Sequence, residues 1–583
     1  MNKFAILHNQ YSEYAYAISK NSVHLLLRTA KDDLQMVELL YGDPFIWKNR
    51  KWLKKIEPMH LRYQTDLFDY YFIEIEIVTK RLRYAFILTD KLGNKEIYHS
   101  RGYMKTPNNM EFTFLQEFFN YPYILEADLQ KTPTWVKDTV WYQIFVDRFN
   151  NIGVNSKHDW NNKVFNNNQI YGGNLKGVTN KLKYLKTLGY NGIYFNPLFE
   201  ATTAHKYDTI DYFKIDPSFG TNEDFKELVE KAHELGIKVM LDGVFNHCSY
   251  LHPWFQDVIK NKEKSKYLDC FFINQWPIDH LKDTKDYDYE NIPNYEVFAT
   301  TPFMPKWNTE HPLVKEYLLN VVSFWIKEYN IDGWRLDVSN ELSMKFLREI
   351  KNVARNASSE VYILGENWDN SLPWLKGDQL DGVMNYLLTL PIWNYLEHKI
   401  TLKEFEIALN SYLAETPKNL IYNMFNLVGC HDTIRITTRL NNDHRRAMLA
   451  YLLIYSSSGS ISVYYGDEIG MFGENDPDNR RTMRWDELEW DLDTLKTMKR
   501  FNDLRHEYVA FKEPDYYFIS QGEVLAYYKK SLNEEILFVI NNTDKKQTYQ
   551  LTSKHIDIFS KQFPKYNDII KLEPYGFMIL KKE

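Results

Sequence analysis

Ile237-Lys-Val-Met-Leu-Asp242 runs apolar and ends on a carboxylate, and Gly243-Val-Phe-Asn-His247 follows with more polar groups. The same plan returns at Val140-Trp-Tyr-Gln-Ile-Phe-Val146, Gly192-Ile-Tyr-Phe-Asn196, Gly333-Trp-Arg-Leu-Asp337 and Val361-Tyr-Ile-Leu-Gly-Glu366. It returns again at Gly382-Val-Met-Asn-Tyr386, Met424-Phe-Asn-Leu-Val428 and Ser460-Ile-Ser-Val-Tyr-Tyr465. Amphipathic helical segments occupy the intervals at 175–188, 222–235, 312–329, 342–355, 402–413 and 443–455,. Eight strands alternating with helices predict an α/β fold, a (β/α)8 barrel rather than an open sheet.

Outward from the barrel the rhythm changes. Residues 1–125 show short alternating runs such as Tyr71-Phe-Ile-Glu-Ile-Glu-Ile-Val78, separated by polar turns, which predicts an N-terminal β-sandwich,. The barrel is expected over 126–505, and the stretch after its third strand, about 248–306, is too long for a simple βα loop,. An inserted subdomain beside the strand ends is expected there. Alternation resumes at Val524-Leu-Ala-Tyr-Tyr528 and Ile536-Leu-Phe-Val-Ile540, so 506–583 reads as a C-terminal β-sandwich.

Composition narrows the function. Lys and Arg number 71 against 78 Asp and Glu, and the charges are interspersed, so no basic track for nucleic acid is present,. No apolar run is long enough to predict a membrane span. Three cysteines, Cys248, Cys270 and Cys430, do not make a disulfide framework, and the first residues do not read as a secretory leader, so a cytoplasmic location is expected,. Aromatic residues make up 16% of the 583, which excludes a disordered chain and suits a ligand with apolar faces,.

In barrels of this kind the reactive groups come from the C-terminal ends of the strands. There the chain places Asp242, Asn246 and His247, then Arg335, Asp337 and Glu341, then Glu366 and Trp368, then His431 and Asp432. A single Asp after a strand is usually a turn or helix cap. Arg335 and Asp337 differ, because residues two apart on a strand share a side, and a charge pair inside a barrel mouth is costly unless it works. Three carboxylates, two His and one Arg fit either a metal site or a glycosidase site. No clustered pattern such as H-E-x-x-H is present, which favours the second. Asp337 as nucleophile and Glu366 as proton donor, on adjacent strands, suit that chemistry. Arg335 is expected to keep Asp337 ionised, and carboxylate neighbours to raise Glu366 towards an acid.

At these residues the chain resembles glycoside hydrolase family 13, the α-amylase superfamily, and within it the cyclomaltodextrinase, neopullulanase and maltogenic amylase group. The resemblance rests on DGVFNH (242–247), GWRLDVSNE (333–341), ILGENW (363–368) and NLVGCHD (426–432), in the family's order. YQIFVDRF (142–149), YFNPLFEATTAHKYDTIDY (194–212), MPKWNTE (304–310), PWLKGDQLDGVMNY (373–386) and YYGDEIGMFGENDPDNRRTMRWD (464–486) extend it over the barrel. It implies double displacement with retention on α-1,4-linked cyclodextrins, short maltooligosaccharides and pullulan, with some transglycosylation. Asp337 is then the nucleophile, Glu366 the acid/base and Asp432 the carboxylate that holds the sugar hydroxyls. Arg335 orients the nucleophile, His247 and His431 bind the reacting sugar, and Tyr207 stacks beneath it. Glu341 and Trp368 lie on the acceptor side, Asp476 and Arg480 on the donor side, with Asp242 and Asn246 as supports.

The resemblance also implies a homodimer through the N-terminal sandwich. Many members bind Ca²⁺; here the matching positions are Asn151, Asn155 and Asn174, with Asn where Asp is usual, and fewer carboxylates weaken such a site,. No cofactor is expected to be required. Trp307 stands where the group has Leu and Ser339 where it has Ala, two changes placed where acceptor preference could alter. The alternatives are an oligo-1,6-glucosidase or transglycosylase of the same superfamily, or a non-catalytic sugar-binding barrel.

Overall fold

Each apolar run becomes a strand buried along almost its whole length, as parallel strands covered on both faces must be,. In the computed structural model, which describes residues 1–107, 109–153, 158–162, 165, 169–278, 293–560, 562 and 564–583, these strands are β1 (Val140–Ile144), β2 (Gly192–Phe195), β3 (Lys238–Gly243), β4 (Gly333–Leu336), β5 (Tyr362–Gly365), β6 (Gly382–Val383), β7 (Phe425–Asn426) and β8 (Ser460–Tyr464). They form one parallel sheet in the order β6-β5-β4-β3-β2-β1-β8-β7. A parallel bridge between Met384 and Phe425 joins its two edges, and Asn385 N–H donates to the Phe425 carbonyl at 2.9 Å. The sheet therefore closes into a barrel filled by Trp141, Tyr194, Met240, Tyr362, Leu364 and Phe425.

The helices that follow the barrel strands include α1 (Leu175–Leu188), α2 (Asn222–Glu234), α3 (Pro312–Tyr329), α4 (Met344–Ala357), α5 (Tyr386–Leu396), α6 (His444–Tyr455) and α7 (Leu492–Glu507). Their starts follow local chemistry. Thr221 and Asp224 form a capping box on α2, Ser343 caps α4, and Pro312 opens α3 at a position where a missing N–H costs nothing,. Helix α5 departs from the sequence reading, which extends a strand to Tyr386. Pro391 lies inside it, and a Pro normally argues against a helix interior,. The lost bond would have run to the Leu387 carbonyl, on a turn whose Leu387 and Leu390 side chains are exposed, so water can substitute.

Two further elements shape the rim. A hairpin of Phe199–Ala201 and Thr209–Ile215, unread in the sequence, follows β2 and carries Tyr207 in its turn. After β3 comes the inserted subdomain, with a helix over Pro253–Asn261 and an aromatic core in which buried Trp307 stacks on Phe271 at 4.7 Å. Past α7, Val524–Lys530, Glu535–Asn541 and Phe577–Lys582 centre a six-stranded antiparallel sheet with its own core.

The chain packs as two compact units, Met1–Lys131 with Ile400–Ile421, and Thr132–Lys399 with Tyr422–Glu583. The first holds a four-stranded sheet and a larger one, facing each other across Val23, Leu25, Val37, Leu39, Ile73 and Phe86. Helix Leu402–Glu415 belongs to this unit: Ala414 packs with Tyr14, Leu26 and Tyr70, and Asn410 Nδ2 donates to the Gln64 carbonyl at 3.0 Å.

Barrel closure predicts one sensitive glycine. A Cβ on Gly382 would sit 1.9 Å from the Asn423 carbonyl oxygen and 2.6 Å from Tyr362 Oη. Gly382→Ala is expected to lose about 1–3 kcal/mol, read as a lower urea midpoint with an unchanged m-value.

Candidate active site

Strand register assembles the site. Asp242 on β3 and Arg335 on β4 are direct neighbours in the parallel ladder, so both side chains enter the barrel mouth together,. Arg335 is fully buried, and its Nη1 donates to Asp242 Oδ1 at 2.9 Å, to Asp242 Oδ2 at 3.0 Å and to Asp337 Oδ1 at 2.7 Å. Its Nη2 lies 2.8 Å from Glu366 Oε2, an ion pair without good hydrogen-bond alignment. One guanidinium thus faces three carboxyls, all at strand ends.

Burial raises two of these carboxyls, Asp242 and Asp337, against the pull of the guanidinium. Asp242 is pushed up to about 6, and Asp337 is driven well above the usual carboxylate range; in both, desolvation comes first and Arg335 opposes it,. Arg335 favours the ionised form of Asp337, as expected, and burial opposes it. The guanidinium is not private to Asp337, because Glu366 shares it. Glu366 is also gripped by the Val338 N–H, which donates to Oε2 at 3.0 Å, and by Trp368 Nε1, which donates to Oε1 at 3.2 Å.

A second network enters from β1, β2 and the hairpin. Gln143 Nε2 donates to His431 Nδ1 at 2.9 Å, which puts the ring proton on Nε2, facing Tyr207 Oη at 2.6 Å and Asp432 Oδ2 at 3.0 Å,. Tyr207 Oη in turn donates to Asp242 Oδ2 at 3.0 Å and accepts from Asn196 Nδ2 at 3.2 Å, while Tyr194 Oη reaches the same Asp242 oxygen at 2.9 Å. Burial holds His431 well below its ordinary value, and burial with Lys306 lowers His247 to about 3. Both imidazoles are neutral hydrogen-bonding groups. His247 stacks on Phe298 at 4.8 Å.

At the rim, Asp432 pairs with Arg480 Nη2 at 3.3 Å, and Arg480 Nη1 lies 3.0 Å from Asp476. Burial raises Asp432, opposed by Arg480. Glu341 is half exposed and pairs with Lys306 Nζ at 3.0 Å; the same Nζ donates to Asn246 Oδ1 at 2.6 Å, tying the β3 and β4 loops together. Trp368 is 39% exposed and stacks flat on Tyr386 at 3.6 Å. The structure thus gathers Asp242, Arg335, Asp337, Glu366, Tyr207, His431, Asp432, Arg480 and Asp476 into one connected network.

The two positions that differ from the group's pattern are both buried. Trp307 is buried in the inserted subdomain, its Nε1 donating to Tyr212 Oη at 3.2 Å, so it presents no face to an acceptor. Ser339 is also fully buried, and its hydroxyl donates to the Glu366 carbonyl at 2.7 Å. Gln143, Tyr194, Asn196, Lys306 and Val338 were not singled out in the sequence. Gln143 had a signal, as the one amide in a buried apolar strand; the Val338 contact is made by its backbone and has none.

Among the described residues, Asn151 and Asn174 do not fit a calcium site. Asn174 Oδ1 caps α1 by accepting from the Gly177 N–H at 2.8 Å, and its Nδ2 donates to the Ile152 carbonyl at 2.9 Å. Asn151 Nδ2 donates to the Tyr171 carbonyl at 3.3 Å, and Asn155 lies outside the described residues. Ca²⁺ needs six to eight oxygens, preferably carboxylates. Among the described residues, Cys430, His431 and Asp432 form the only cluster with metal-ligand spacing. Burial pushes the Cys430 thiol up to about 12, so it offers no thiolate,.

A closed barrel whose strand ends converge three carboxyls on one arginine defines a barrel glycoside hydrolase. Residues 143–506 match the alpha amylase catalytic domain and residues 1–125 the alpha amylase N-terminal ig-like domain. The chain is 41% identical to a cyclomaltodextrinase of Geobacillus thermopakistaniensis, covering 93% of this chain and 92% of that protein. It is 37% identical to an intracellular maltogenic amylase of Bacillus subtilis, covering 100% and 99%. A solved cyclomaltodextrinase structure superposes with a TM-score of 0.93 over the whole of both chains, at 37% identity. The chain belongs to the α-amylase family, glycoside hydrolase family 13.

Arg335 generates the sharpest prediction. Lysine supplies one point charge where the planar fork faces Asp242, Asp337 and Glu366. Arg335→Lys is expected to lower kcat at least about a hundredfold and to destabilise the fold by about 3 kcal/mol, measured by steady-state kinetics and urea unfolding.

Proposed function

We propose that this chain hydrolyses the α-1,4 links of cyclodextrins and short maltooligosaccharides, and accepts pullulan, by double displacement with retention and some transfer to sugar acceptors. The observation that carries the reading is the single guanidinium bridging Asp337 and Glu366. Two carboxyls flanking one planar group suit the close pair of a retaining enzyme, about 5–5.5 Å apart, rather than the about 6.5–9.5 Å that admits a water in inverting ones.

The chemistry follows from the electrostatics. The acid catalyst must have a proton to give and the nucleophile must be free of one, and the shared guanidinium holds the two carboxyls side by side for that division of roles,. Glu366 protonates the glycosidic oxygen as its bond to C1 breaks, and Asp337 bonds to C1. Glu366 then takes a proton from water, or from a sugar hydroxyl, as that oxygen displaces Asp337. The excess of carboxyls over guanidinium favours the positive charge that develops on the sugar ring. Tyr207 packs beneath the ring, and Asp432 with the neutral His247 and His431 takes its hydroxyls. Arg480 and Asp476 act on the donor side, Glu341 and Trp368 on the acceptor side, while Asp242 and Asn246 hold Arg335 and Lys306.

The α anomer is the expected first product of β-cyclodextrin or maltotriose, followed by NMR before mutarotation. A β anomer overturns the reading. Release from isomaltose without action on cyclodextrins would instead indicate the 1,6-glucosidase.

A homodimer through the N-terminal sandwich is supported by the match to the ig-like domain and by Phe45, Ile46 and Trp47, which that unit leaves exposed,. Sedimentation at micromolar concentration is expected to give twice the chain mass; a single chain overturns the dimer. Among the described residues no helix is long and apolar enough to cross a membrane. Similarity to an intracellular maltogenic amylase supports a cytoplasmic location.

A further inference from the structure

We infer that Ser339 is a positioning residue for the acid/base Glu366, acting through the main chain of the turn that follows the nucleophile. The inference rests on the assignment of Glu366 as proton donor. Directly after Asp337, Val338 adopts φ +46°, a left-handed conformation that is costly for a β-branched side chain,. That turn aims two consecutive residues at Glu366. The Val338 N–H donates to the carboxylate Oε2 at 3.0 Å. The Ser339 N–H donates to the Glu366 carbonyl at 3.2 Å, and the Ser339 hydroxyl donates to the same carbonyl at 2.7 Å.

Both ends of Glu366 are therefore held by the chain that carries the nucleophile, so the separation of the two carboxyls is set locally rather than by the strands alone. The hydroxyl fits where no larger neighbour could. A Cβ on Gly365 would meet Leu380 Cδ1 at 2.4 Å and Ser339 Oγ at 2.6 Å, so the glycine leaves room for both side chains. Ser339 has no exposed surface, so it touches neither sugar nor acceptor. Its hydroxyl contributes by fixing the backbone from which the Glu366 carboxyl projects. Loss of it leaves the weaker N–H contact and lets the carboxyl drift from Arg335 and from the glycosidic oxygen.

A misplaced acid harms a reaction in proportion to the leaving group's need for a proton. The test compares kcat/KM on maltotriose, whose departing sugar must be protonated, with α-maltosyl fluoride, whose fluoride leaves with little acid assistance. Ser339→Ala is expected to lose about tenfold on maltotriose and less than about twofold on the fluoride, with an unchanged melting midpoint. Ser339→Cys, which keeps a weaker donor of similar size, is expected to fall between. Equal losses on both substrates, or no loss on either, overturn the positioning role. Glu366→Ala is measured alongside. If it too loses equally on both substrates, the assignment of Glu366 as the acid fails; if it shows the leaving-group dependence and Ser339→Ala does not, only the inference about Ser339 fails.

Discussion

The guanidinium of Arg335 is the constraint on which the rest of the rim depends. A fully buried charge is tolerable only when its partners are equally fixed, and Asp242 meets that condition because strand register makes it the lateral neighbour of Arg335,. One terminal nitrogen, Nη1, serves both Asp242 and Asp337, and the other, Nη2, faces Glu366. The separation of Asp337 and Glu366 is thereby tied to the geometry of one planar group rather than to the flexibility of two loops.

Around that centre, uncharged groups carry the precision. Tyr194, Tyr207, Asn196 and Gln143 connect Asp242 to His431 in a continuous chain of hydrogen bonds drawn from β1, β2 and the hairpin. Burial keeps both site imidazoles neutral, so they add no positive charge beside Arg335,. The inserted subdomain contributes Lys306, which ties Asn246 to Glu341 and so couples the rim of the third strand to that of the fourth. Of its aromatics, Trp307 packs on Phe271 away from the rim, while Phe298 stacks on His247.

The barrel was legible because its signals are local: eight apolar runs with polar ends, and helices whose caps stand within a few residues of their starts. Helix α5 was not, since Pro391 argues against it and only the exposed side of that turn makes the proline tolerable. The hairpin bearing Tyr207 was missed as well, because its two strands pair with register shifts and show no clean alternation. Arg335 and Asp337 could be placed together from their spacing alone. Trp307 and Ser339 could not be placed, because which way a side chain faces in an insertion or a tight turn is set by what packs against it.

The amino-acid sequence alone determined the barrel, the inventory of strand-end carboxyls and the pairing of Arg335 with Asp337, since period and neighbourhood along one chain decide those. Tertiary structure alone decided that Arg335 also meets Asp242 and Glu366, that burial opposes the arginine at Asp337, and that the Ser339 hydroxyl is buried on the Glu366 carbonyl. The physical reason is that distances between strand ends, and the exclusion of water between them, arise from ladder register and barrel closure. Both depend on contacts between residues about a hundred or more positions apart, such as Asp242 with Arg335 and Gln143 with His431, which no local window contains.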